Sequence, residues 1–244
     1  MSFTTDHNPA PAQPWGIPAT IAWMLFAFLA SVVVATTVFA AWQGDRANMR
    51  PSTYDGVMIT IGALASVPVQ IAVLAFAARL RRWTPADYLA LNIPRRSEIV
   101  FAVLCTIALM IVFDALMVVS GRDLVPPFQV EAYQSAKDAG WMLGLMLAII
   151  VVAPVGEEVA FRGFLYRGLV RPGYERLAIV VISLAWALLH IQYDWLGMVQ
   201  IFAAGLTLGW FRWASGSTTL TIIMHVLINV EAMLETAIKV ELLS

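Results

Sequence analysis

Residues 141–169 read WMLGLMLAIIVVAPVGEEVAFRGFLYRGL. The first half is apolar, broken only by glycine and proline. The second half places Glu157, Glu158 and Arg162 close together. As a helix the stretch is longer than the about 20 residues that cross a bilayer's hydrocarbon core. Each ionised group at that depth costs several kcal/mol, so such groups are rare and default to function. The stretch makes the chain a helical membrane protein and gives it a charged cluster that needs a reason.

The rest of the chain agrees. Of 244 residues, 60% are hydrophobic and 13% charged, and the mean hydropathy of +0.78 lies far above that of a soluble domain. No period-2 alternation recurs, and in lipid every backbone polar group must be satisfied internally, which favours helices over a sheet. The expected fold is an all-α polytopic transmembrane helical bundle of about seven spans, with six to eight as the range. The spans are placed at 17–42, 57–78, 99–120, 141–169, 176–193, 196–213 and 218–237. Turn signals separate them: Pro51, Pro85, Pro94, Pro126-Pro127, Pro172-Gly173 and Gly216. The organisation is a polar N-terminal tail over 1–16, three spans with their loops over 17–140, a membrane core over 141–237 and a C-terminal tail over 238–244.

The segment before the first span has no Lys or Arg, whereas a signal peptide begins with a basic stretch. The first span is therefore an uncleaved anchor, with Val38-Phe39-Ala40 as its one cleavage-like tripeptide. The single cysteine, Cys105, cannot form an internal disulfide and reads as a packing residue. The net charge of −1 points to no nucleic acid.

Orientation follows from the basic residues. Arg79, Arg81, Arg82, Arg95 and Arg96 follow span two, Arg167, Arg171 and Arg176 surround the end of span four, and Arg212 ends span six. These alternate connections share one side. The other side holds Arg46, Arg50, Arg122, Lys137 and Lys239. The N-terminus is thus expected inside and the C-terminus outside. RRWTPADYLALNIPRR (81–96) would either lie along the inner surface, its arginines meeting anionic headgroups, or be an ordinary loop.

Within span four, Glu158 and Arg162 are i,i+4 and can pair. Glu157 is rotated by about 100° from Glu158 and shares a face with Phe161. It is left as the unpaired carboxylate, suited to general-base work; a packing ion-pair cluster is the plainer alternative. Two of the three histidines, His190 and His225, fall in later spans. Glu157 and His190 each lie about 14 residues, or about 20 Å, from the turn that joins their spans, hence at one depth. His225 lies about 10 Å into span seven, with Asn229 on the same face. A carboxylate, two imidazoles and a carboxamide can thus converge inside the membrane. Glu and His can deprotonate a water, and His and Asn can hold an oxyanion. That set suits amide hydrolysis with water as the nucleophile. Zinc is a minority use of the same atoms, with His190, His225 and a Glu as ligands, but no HExxH is present.

The residues also resemble a known family. GEEVAFR (156–162) is similar to the EExxxR motif of the CAAX protease and bacteriocin-processing (CPBP/Abi) family of intramembrane glutamic endopeptidases, which includes type II CAAX prenyl proteases. WALLH (186–190) resembles its FxxxH motif, with Trp186 in place of phenylalanine, and HVLIN (225–229) its HxxxN motif. The resemblance covers about 141–232. It implies that Glu157 activates water with help from His190, that His225 and Asn229 stabilise the oxyanion, and that Glu158 and Arg162 orient the site. Phe161 and Trp186 would form the pocket wall, the Trp change altering shape without removing a chemical group. It implies a conical chamber, no metal cofactor, and a membrane-associated or lipidated peptide or protein as substrate. A bacterial inner membrane is expected because no organelle signal is found and the basic residues sort to one side.

Two other classes stay open: a non-catalytic membrane scaffold or immunity protein, and a proton-coupled transporter, although no internal repeat is found. Gln70, Asp114 and Gln200 read as packing or pocket residues. Glu231 and Glu235 are expected to face water. Trp141, Trp195, Trp210 and Trp213 read as interfacial aromatics, and His7 gets no role.

Overall fold

The computed structural model describes residues 12–43 and 54–243. His7, Arg46, Arg50 and Pro51 lie outside the described residues. The described residues form nine helices and no strand: α1 (Ile17–Gln43), α2 (Gly56–Leu80), α3 (Pro85–Tyr88), α4 (Arg96–Val119), α5 (Pro127–Asp138), α6 (Met142–Leu169), α7 (Glu175–Leu188), α8 (Trp195–Ser215) and α9 (Thr218–Leu242). This is the expected all-α bundle. By length and composition, α1, α2, α4, α6 and α9 can cross a membrane.

Two of the seven expected spans differ. The span placed at 176–193 is the 14-residue α7, which ends at Leu188. At 1.5 Å per residue it covers only about 21 Å. HIQYDW (190–195) supplies His, Gln, Tyr and Asp where an apolar helix would have to continue. The span placed at 196–213 is α8, long enough at 21 residues but diluted by Gln200, Arg212 and its glycines and tryptophans. α7 and α8 form an antiparallel hairpin. α9 extends past 237 to Leu242.

Local chemistry fixes the helix ends. Asp55 caps α2 by accepting from the Met58 N–H at 2.9 Å, and Asp194 caps α8 by accepting from Gly197 at 2.8 Å. α8 stops at Gly216, whose φ of +68° is the left-handed conformation that glycine adopts without strain. Ser217 then caps α9.

The segment 81–94 is more than a surface loop. Tyr88 and Leu89 are buried, and the Leu89 and Ala90 carbonyls accept from Thr218 at the start of α9. The Arg167 guanidinium donates to the carbonyls of Asp87 and Tyr88 and stacks on Trp83. Burial pushes the Tyr88 phenol above its ordinary pKa, so it stays neutral. The segment closes the arginine-rich end of the bundle, while Arg82, Arg95 and Arg96 remain exposed around it.

α6 is the central element, touching α1, α2, α7, α8 and α9. Small residues allow the close approach, as in other membrane bundles. A Cβ on Gly168 would sit 2.0 Å from Thr20 Oγ1 and 2.5 Å from its Cγ2. Gly168→Ala is therefore expected to destabilise the protein by about 1–3 kcal/mol. Thr20→Ala in the same chain should recover part of that loss, both read by unfolding in detergent.

Candidate active site

The site is built from α6 outward. α6 is not a regular helix: it widens to i→i−5 hydrogen bonding at Ala148–Val152 and again at Val159–Leu165. Such π segments recur at functional sites. Pro154 explains the first. In this register Ala153 N–H donates to the Ala148 carbonyl, so the next donor, for Ile149, would be residue 154. Proline has no N–H. The Ile149 carbonyl is instead taken by the side-chain amide of Asn229 at 2.7 Å. Gln70 similarly donates to the Gly156 carbonyl at 3.1 Å. Gln70 thus serves the α6 backbone.

The three charges of α6 separate as their spacing predicts. Glu158 is fully buried, and its Oε1 accepts from Arg162 Nη1 and from His225 Nδ1, both at 2.9 Å. Arg162 also donates to the Gly205 carbonyl at 3.3 Å and lies 4.5 Å from the Trp186 ring centre, a cation–π distance. Glu157 is half-buried and stands outside this pair. Its Oε2 accepts from the Trp186 indole N–H at 2.6 Å.

Trp186 is the hub. Its ring meets His190 edge-on at 5.0 Å and His225 at 5.3 Å. His190 sits just past the end of α7, its Nδ1 2.9 Å from the Trp186 carbonyl. A carbonyl only accepts, so Nδ1 carries a proton. Trp186, His190, His225 and Asn229 line a cavity of about 580 Å³. Glu157 adjoins it through Trp186.

Some expectations need correction. Phe161, expected on the pocket wall, packs in the hydrophobic core and does not line the cavity. The tryptophan that stands for phenylalanine in the second motif removes no chemical group, as expected, and adds an N–H that donates to Glu157. Glu231 and Glu235 do not simply face water. With Asp114 they line the cavity, one carboxylate oxygen from each lying within 4.8 Å of the others. Among the described residues this is the group close enough to hold a metal ion, and its all-oxygen donors suit a hard cation rather than zinc. Gln200 lines the cavity while donating to the Phe113 carbonyl at 3.2 Å. Tyr193, unremarked in the sequence, also lines it and accepts from Gln129 at 2.9 Å. Its place three residues after His190 was the available signal.

The geometry defines a class: a membrane-embedded site of carboxylate, imidazole and carboxamide groups at the base of a chamber in an all-α bundle. Comparison with known families supplies the relation. Residues 139–230 match the family described as type II CAAX prenyl endopeptidase, Rce1-like. The resemblance drawn from the three motifs is thereby shown over this segment. No curated protein and no solved structure matches the chain.

The buried pair yields a stability prediction. Arg162→Met leaves a buried carboxylate with one partner fewer and should cost about 3–5 kcal/mol. Thermal unfolding of the detergent-purified protein checks it.

Proposed function

We propose that this protein is an intramembrane endopeptidase that hydrolyses a peptide bond of a membrane-associated protein or peptide by activated water, without a metal. The observation that carries the reading is the convergence of Glu157, His190 and His225 on Trp186, a residue of the cavity wall.

The roles follow from the free valences. Glu157 Oε2 is occupied by Trp186, leaving Oε1 to take a proton from water. His190, which lines the cavity, is the second base. The water oxygen attacks the carbonyl carbon, and its proton passes to Glu157 with assistance from His190. The resulting oxyanion needs two donors. Asn229 spends one amide hydrogen on Ile149 and keeps the other. His225 already gives Nδ1–H to Glu158, so it can also donate from Nε2 only as the imidazolium. Glu158 is the counter-charge for that state. Collapse breaks the C–N bond, and the proton moves to the leaving amine.

The membrane is the bacterial inner membrane, with the arginine-rich end and the N-terminus on the cytoplasmic side. The substrate can be lipidated, and the apolar part of the cavity lining, with Phe113, Met117 and Phe128, suits an apolar chain.

The test is cleavage of a panel of prenylated and unprenylated peptides by the detergent-purified protein. Glu157→Gln and His190→Ala should each lose at least about 100-fold in rate, with chelator making no difference. Loss of cleavage on adding chelator would move the chemistry to a metal, and cleavage surviving Glu157→Gln would overturn the role of Glu157. Trp186→Phe deletes one hydrogen bond to a charged group and should act about tenfold more slowly. Steady-state kinetics on the best peptide checks this second expectation.

A further inference from the structure

Tyr193 lines the same cavity as His190 and has no part in the roles assigned above. Its side chain is held from several sides. The Tyr193 N–H donates to the His190 carbonyl at 3.0 Å, so one tight turn carries both residues. Asp194 anchors that turn, accepting from the Gly197 N–H and pairing with Arg122. The Tyr193 ring lies against Gly197: a Cβ there would stand 2.9 Å from Tyr193 Cδ1 and 3.1 Å from its Cβ. Phe128 of α5 meets the ring edge-on at 4.9 Å, and the His190 ring centre is 6.2 Å away. A ring packed this way has little freedom to swing, so its hydroxyl is in place before a ligand arrives.

Hydrogen bonding then sets what the hydroxyl can do. Gln129 Nε2 donates to Tyr193 Oη at 2.9 Å, and the Gln129 carbonyl oxygen accepts from Thr236 at 3.1 Å. The amide is thereby oriented with its N–H toward the tyrosine. A phenol has one hydrogen to give. With Gln129 as the donor, that hydrogen is left for another acceptor, and none of the described residues takes it.

The place along a bound peptide follows from α9. Thr236 lies seven residues beyond Asn229, which is about 10 Å along the helix. An extended peptide covers that distance in about three residues. The hydroxyl tied to Thr236 through Gln129 is thus set apart from the carbonyl at Asn229. A lone O–H donor needs an acceptor, and the acceptor that a peptide carries at every residue is its main-chain carbonyl.

We infer that Tyr193 is a further substrate-binding residue: its hydroxyl donates to a main-chain carbonyl of the bound peptide, away from the scissile bond. Gln129 is the positioning residue that turns the hydroxyl toward the chamber. This rests on the peptidase reading given above. A contact made equally in the bound substrate and the transition state raises KM when lost and leaves kcat alone. A backbone contact does so for peptides of any sequence.

The test is steady-state kinetics of Tyr193→Phe, which removes the hydroxyl and keeps the ring, on two cleaved peptides of unrelated sequence. KM should rise about fivefold for both, with kcat within about twofold and the unfolding temperature unchanged. Gln129→Met should raise KM less by itself and not at all in the Tyr193→Phe background, since it acts only through that hydroxyl. An unchanged KM in Tyr193→Phe, a fall in kcat instead, a rise confined to one peptide, or a further rise on adding Gln129→Met overturns the inference. If the wild type cleaves no peptide, binding is read by anisotropy with a fluorescein-labelled farnesylated peptide. Affinity weakened about fivefold by Tyr193→Phe then keeps the binding role and overturns only the proteolysis. Equal binding, or none by either protein, overturns both.

Discussion

Everything near the centre of the bundle is arranged around one carboxylate that cannot reach water. Glu158 is fully buried, and a charge there is tolerable only with a counter-charge and hydrogen bonds. Arg162 from its own helix and His225 from α9 both bond its Oε1. Arg162 reaches on to the Gly205 carbonyl of α8 and stacks on Trp186 of α7. Four helices are thus tied through one ion pair. The Glu158–Arg162 pair balances its own charge, which is what a low-dielectric interior requires.

A second constraint comes from the backbone. A proline in the middle of a membrane helix leaves a carbonyl without its donor, and lipid cannot supply one. The π register of α6 assigns that deficit to Ile149, and Asn229 meets it. The same bond fixes the amide of Asn229 with one hydrogen still available to the chamber. Repairing the helix and aiming the side chain are one event.

Much of this was legible in the sequence. The i,i+4 spacing of Glu158 and Arg162 predicts their pairing and leaves Glu157 free for another partner. Equal distances from the α6–α7 turn bring Glu157 and His190 to one level, even though His190 lies beyond the end of its helix. What stayed hidden depends on rotation and long-range packing. Phe161 sits four residues after Glu157 yet belongs to the core, because π turns shift the faces of α6. Asp114 meets Glu231 and Glu235 only because α4 packs on α9. The Trp186 N–H bond was closer to hand: an indole one turn before His190 shares its face. The docking of segment 81–94 on α9 could not be read at all, since it depends on backbone carbonyls of Leu89 and Ala90 meeting Thr218 across the chain.

The shortness of α7 has a consequence for the chamber beside it. At about 21 Å it falls well short of a hydrocarbon core of about 30 Å. The polar loop that follows it, with His190, Gln192, Tyr193 and Asp194, lines the cavity instead of continuing as apolar helix. Asp194 pairs with Arg122 and Tyr193 accepts from Gln129, so neighbouring segments of the chain receive these polar groups. A full-length helix here would have filled that space with apolar side chains; stopping it early leaves the hollow open.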